Sequence, residues 1–134
     1  MDWVLTSGGI SLIRDWLIGL PVNPPTYIAL SSGTLPSPPS PGSFWTHLPA
    51  ETFRTNIVYA DADGQSAIFH SYLGLTDNPN QTVCYVGLYG GNPSLTRDSG
   101  TLVAVGAEPV PYSKTSLNTV SYDTILTLSG TVSG

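Results

Sequence analysis

Val120-Ser121-Tyr122-Asp123-Thr124-Ile125-Leu126-Thr127-Leu128-Ser129 is the stretch that decides the fold. Val120, Tyr122, Thr124, Leu126 and Leu128 alternate with Ser121, Asp123, Ile125, Thr127 and Ser129. A period of two is what a strand with one buried face requires. Working back toward the N-terminus, the same grammar repeats. Thr101–Val105 reads as a short strand that Glu108-Pro109-Val110-Pro111 breaks. Val83–Tyr89 is a compact apolar run, suited to a central strand buried on both faces. Gly90-Gly91-Asn92-Pro93 ends it, and Asp77-Asn78-Pro79-Asn80 precedes it as a turn.

Glu51–Ala60 and Gln65–Leu75 read as two strands joined by Asp61-Ala62-Asp63-Gly64, a hairpin. Thr26–Leu30 reads as another short strand. Between these lies a Pro-rich arm over 31–50, with Pro36, Pro38, Pro39, Pro41 and Pro49. Proline removes donors and restricts φ, so neither helix nor central strand is expected there. Loops of this length inside a compact domain are unusual and often functional. The arm holds Phe44 and Trp45, which either hook onto a partner or fold back on their own domain.

One helix is expected, over about 7–20. Ile10, Ile13, Leu17 and Leu20 recur at three- and four-residue spacing. Thr6 or Ser7 supplies an N-cap, and Gly19 with Pro21 a stop. Leu12, Trp16 and Ile18 fall outside that stripe. A helix apolar over so much of its circumference is either deeply buried or packed on a neighbouring chain.

The expected fold class is therefore mainly β: an antiparallel β-sandwich or barrel-like domain of six to seven strands, with one N-terminal α-helix and a long Pro-rich loop. The 134 residues fit a single domain, 1–134.

Charged residues make up only 10% of the chain, against a typical quarter. Polarity comes from Ser and Thr, alongside 14 Gly and 12 Pro. Hydroxyl-rich, uncharged surface loses little on desolvation, so the composition favours a chain covered on several sides by neighbours. A net charge of −5 with four scattered basic residues argues against nucleic acid, whose phosphates call for clustered Lys and Arg. No run of 18 apolar residues offers a membrane span. The opening Met-Asp-Trp lacks a signal peptide's basic start and apolar run.

Chemistry-bearing motifs are scarce. His47 and His70 lack the nearby set of Cys, His or Glu that would complete a three- or four-ligand zinc site. Asp61-x-Asp63-Gly64 opens like a calcium loop but lacks the Glu that would close one. The lone Cys84 excludes an internal disulfide, and an apolar strand is the wrong setting for a reactive thiolate. Gly-x-Ser-x-Gly is absent, and Gly87-Leu88-Tyr89-Gly90-Gly91 lacks a phosphate loop's Lys. The residues thus point to no catalytic group, no metal site and no cofactor. Tyr85, Tyr89 and Tyr122 fall in predicted strands, where core packing is the default over a sugar platform.

With the elements placed, the order of motifs is similar to that of a family of small bacteriophage virion proteins associated with tails, fibres or baseplates. The matching residues are Gly8-Gly9-Ile-Ser-Leu-Ile-Arg14-Asp15-Trp-Leu-Ile-Gly19 and Pro25-Thr-Tyr-Ile-Ala-Leu-Ser-Ser-Gly33-Thr34. Glu51-Thr-Phe-Arg54, Tyr85-Val-Gly-Leu-Tyr-Gly-Gly91 and Lys114-Thr115 follow in turn. The resemblance spans most of residues 5–130 and implies a structural subunit, no enzyme, present in several copies in a virion assembled in the bacterial cytoplasm. Its partners would be other copies of itself and other virion proteins. A capsid decoration protein, or a carbohydrate-binding module for a host-surface glycan, is the alternative. Arg14, Asp15, Trp16, Ile18, Phe44 and Trp45 are the expected interface residues, with Arg14 and Asp15 pairing across a subunit boundary.

Overall fold

The computed structural model describes residues 1–32 and 40–134. In chain order these form β1 (Trp3–Leu5), α1 (Ser7–Leu17), β2 (Tyr27–Ser31), β3 (Glu51–Asn56), β4 (Tyr59–Asp63), β5 (Ser66–Leu73), β6 (Gln81–Gly90), β7 (Thr101–Lys114) and β8 (Val120–Thr127). The strands make two antiparallel sheets, β1-β7-β6-β2-β3 and β4-β5-β8. The fold is a β-sandwich with an N-terminal helix. The part of the Pro-rich arm that carries Pro36, Pro38 and Pro39 lies outside the described residues.

Strand β6 sits at the centre of the larger sheet, and its residues 83–90 are buried throughout. The apolar run places Val83, Val86 and Leu88, with Ile28 and Leu30 of neighbouring β2, against Phe69, Leu73 and Tyr122 of the smaller sheet. Tyr85 and Tyr89 belong to a cluster with Ala29, Leu48, Leu102 and Val105, with Trp45 packed on it. In β8 the alternation does what its period demands: Tyr122 and Thr124 are buried, while Ser121, Asp123 and Ile125 are exposed.

Four elements differ from expectation. β7 does not stop at Glu108-Pro109-Val110-Pro111. Register with β6 jumps from Ala107↔Tyr85 to Tyr112↔Val83, so these four residues stand opposite Cys84. A bulge asks for no ladder donors, which is where prolines are tolerated in a sheet. Glu108 in that bulge accepts from the Tyr122 hydroxyl at 2.9 Å, and Tyr122 shares a second hydrogen bond with Tyr112. Burial pushes both phenols above their ordinary pKa.

The predicted strand 51–60 is two strands in different sheets. The chain crosses between them at Ile57 and Val58, whose N–H groups donate to Thr26 O (2.9 Å) and His70 O (2.7 Å). The hairpin is accordingly β4–β5, turning at Gly64 with φ 59°. Positive φ at this position is open to Gly without steric cost. β1, three residues long, is additional and pairs with β7. The helix ends at Leu17 rather than near 20.

The acidic–x–x–Arg motif proves to be a buried ion pair. Arg54 Nε and Nη2 reach Glu51 Oε2 and Oε1 at 2.9 and 2.8 Å, and both side chains are 2% exposed. Arg54 Nη1 donates to Ser94 O, Ser99 O and Ser99 Oγ at 2.9–3.0 Å, and the guanidinium lies 4.3 Å from the centre of the Tyr89 ring. One side chain thus ties β3 to the loop between β6 and β7. Tyr89 in turn accepts from Leu48 N–H at 3.0 Å, holding the end of the Pro-rich arm. Burial pushes the Tyr89 phenol up to about 12. At the far end of β7, Lys114 is fully buried and donates to Thr115 O at 2.8 Å, where the chain turns toward β8.

A bidentate buried pair gives a signed expectation. Glu51→Ala leaves a buried guanidinium uncompensated and lowers the unfolding free energy by about 3–5 kcal/mol. Glu51→Leu with Arg54→Met costs less than the single change, because no unpaired charge remains. Urea denaturation measures both. A loss of only about 1 kcal/mol for Glu51→Ala, the scale of a surface pair, would contradict this account.

Candidate assembly surface

Helix α1 begins with Thr6 as N-cap. Its hydroxyl accepts from Gly9 N–H at 3.1 Å and also bonds the Leu102 and Val103 carbonyls of β7. Gly9 is the one buried residue of the helix. A Cβ there would stand 2.4 Å from Val103 O, and one on Gly8 would stand 2.8 Å from the Thr101 side chain. Only a side-chain-free backbone comes this close to a strand. The helix is therefore pinned by its glycines, and Leu12 packs beside them on the core.

This docking turns most of the apolar stripe away from the core, leaving Ile13 half-buried. Ile10, Leu17 and Leu20 are exposed rather than buried. Trp16 is 67% exposed, Leu17 81% and Ile18 68%. Deep burial, one of the two alternatives open from the sequence, is not what the structure shows. The helix closes with a Schellman arrangement: Gly19 at φ 85° donates to Trp16 O (3.1 Å) and Leu20 to Asp15 O (2.9 Å). That cap fixes the exposed end as a rigid shape, so Trp16, Leu17 and Ile18 are presented on ordered backbone.

The other expected interface residues divide. Arg14 Nε and Nη2 bind Asp15 Oδ1 at 2.9 and 2.7 Å, so these two pair with each other inside one chain. Trp45 folds back: its ring meets Tyr85 edge-on at 5.2 Å between centroids, and it covers the core. Phe44, next to it, is 78% exposed. The segment is held to the helix start by Ser7 N–H donating to Ser43 O at 2.8 Å. A cavity of about 260 Å³ lies there, bounded by Phe44, Trp45, Ser7, Gly8 and Thr101. Trp16, Ile18 and Phe44 thus join Ile10, Leu17 and Leu20 as exposed apolar groups, while Trp45 is half-buried. The Gly8-Gly9 pair was the signal for the helix's true orientation, since adjacent glycines early in a helix mark a close approach.

The remaining polar groups fall elsewhere. His70 Nδ1 lies 2.7 Å from Asp123 Oδ1, and the imidazole stacks on Tyr59 at 4.2 Å. These three are in register across β4, β5 and β8 on the outer face of the smaller sheet. His47 is exposed beside Thr46. Asp61 and Asp63 lie in β4, not in a turn. Cys84 is buried opposite the β7 bulge. Among the described residues, no three His, Cys, Asp or Glu side chains group as metal ligands, and no helix is long and apolar enough to cross a membrane.

No known protein family, curated protein or solved structure matches the chain.

The glycine-pinned helix carries a signed expectation. Gly→Ala in a helix interior is ordinarily stabilising by about 1 kcal/mol. Here Gly9→Ala should lower the thermal midpoint, because the new methyl meets Val103 O. A variant as stable as the original in a thermal scan followed by circular dichroism would contradict the docking.

Proposed function

We propose that the chain is a structural subunit of a bacteriophage virion, built in several copies into the tail, fibre or baseplate region. The observation that carries the assembly reading is the solvent-facing end of α1, where Trp16, Leu17 and Ile18 stand together on capped backbone. Single exposed apolar residues are ordinary; three in succession at one helix end are a concentration that favours an interaction site. The 10% charged content supports the same reading, since little desolvation opposes contact with a neighbour. The order of motifs, similar to that of phage tail-associated proteins, supports the particle.

A capsid decoration protein would use the same patch, and copy number per particle separates the two. Carbohydrate binding has an observation of its own: Tyr59 and Tyr72 are half-exposed in β4 and β5, flanking His70 and Asp123. That face would serve attachment to a host-surface glycan.

The assembly reading is tested by changing the patch alone. Trp16→Gln, Leu17→Gln and Ile18→Gln together keep helix-forming residues and touch no buried residue. The prediction is an unchanged far-ultraviolet spectrum with a shift of the sedimenting species toward the single-chain mass. Association unchanged from the original chain would overturn the assignment of the patch.

A further inference from the structure

A single self-complementary surface closes a pair of subunits and stops there. A multi-copy assembly needs a second surface, and the strand edges are where the fold offers one. An edge strand presents backbone N–H and C=O groups ready to pair, and proteins ordinarily blunt such edges by shortness, bulges, proline or charge. β1 is three residues long and β4 is five, with Asp61 and Asp63 in it. β3 carries a register irregularity against β2. β8 is different. It is eight residues long and pairs with β5 from Val120↔Leu73 to Thr127↔Ser66 without a shift. It holds no Pro, Lys or Arg, and its one charge, Asp123, is engaged by His70. Among the described residues β5 is its only strand neighbour. A cavity of about 650 Å³ runs beside that edge, between Met1–Trp3 and Ser121, Asp123 and Ile125.

We propose that the free edge of β8 pairs antiparallel with β8 of a second copy, joining two three-stranded sheets into one of six strands. This rests on the reading that the chain assembles with itself, and names a second contact for it. With a second copy as the occupant, β8's own sequence selects the register. Side chains directly opposite across an antiparallel pair share a face, so only registers that match inner with inner and outer with outer are open. Centring on Asp123 would set two carboxylates opposite each other, which is destabilising. Centring on Ile125 would leave only residues 123–127 of β8 paired. Centring on Thr124 pairs residues 121–127, sets Asp123 opposite Ile125 of the second copy and Ser121 opposite Thr127, and keeps Tyr122 and Leu126 together on the inner face. That register is the one proposed.

The test is a directed disulfide. In the double variant Ser121→Cys with Thr127→Cys, each new thiol faces its counterpart in the second copy, within the 4.4–6.8 Å Cα separation a disulfide spans. Within one chain the two positions lie about 20 Å apart along the strand and cannot join. Under mild oxidation the prediction is a covalent dimer on non-reducing electrophoresis that returns to single chains with reductant. Ser121→Cys alone should give no dimer, because in this register the two Ser121 positions are far apart. Equal cross-linking by the single variant, or none by the double, overturns the proposal. The same double variant with Trp16, Leu17 and Ile18 changed to Gln should still cross-link. Cross-linking there with lost higher assembly separates this edge from the helix patch, so failure of one contact is distinguishable from failure of the other.

Discussion

The backbone approach of Gly9 to the Val103 carbonyl is the constraint on which the outward face of this molecule depends. A helix lies along its apolar stripe when nothing else orients it. Here the backbone contact at Gly9, with Thr6 bonding the same stretch of β7, sets the helix by its glycines instead. The cost is that Ile10, Leu17 and Leu20 do not reach the core. The consequence is that α1 offers to solvent the side chains that would otherwise be buried, and its Schellman cap keeps their geometry fixed. An apolar surface produced this way is a property of the fold and not of a loose tail.

The interior carries a complementary device. The Glu51–Arg54 pair spends a buried charge on joining three segments: β3, the β6–β7 loop through Ser94 and Ser99, and β6 through the Tyr89 ring. Tyr89 passes the connection on to Leu48 and so to the arm that carries Phe44. A buried ion pair is weak evidence for net stability. What it supplies here is position, because a planar guanidinium with five donors accepts few arrangements of its partners. These segments are held by directional bonds, in a chain with few charges to spend.

Much of the fold was legible in the sequence. The alternation over 120–128 and the apolar run 83–89 correspond to β8 and β6, because a period of two and a two-sided core leave direct marks on the order of residues. The misreadings have particular causes. Pro109 and Pro111 look like a strand break, but a bulge opposite Cys84 absorbs them and β7 continues. Glu51–Ala60 looks like one strand because nothing in Ile57-Val58 announces a change of sheet; the corner is made by backbone bonds to Thr26 and His70. β1 is too short to show a period. At the surface, Trp16, Ile18 and Phe44 were legible as apolar residues in odd places, whereas Trp45 was not separable from Phe44 until its contact with Tyr85 was seen. The Arg14–Asp15 pairing within the chain follows from adjacency at a helix end and needs no neighbour.

The account's central claim is that the molecule is shaped for contact with copies of itself. Sedimentation of the unaltered chain over a rising concentration series tests it most directly. The account predicts a mass that climbs above that of one chain as concentration increases, with no change in secondary structure. A single species at the one-chain mass up to the highest concentration would contradict it.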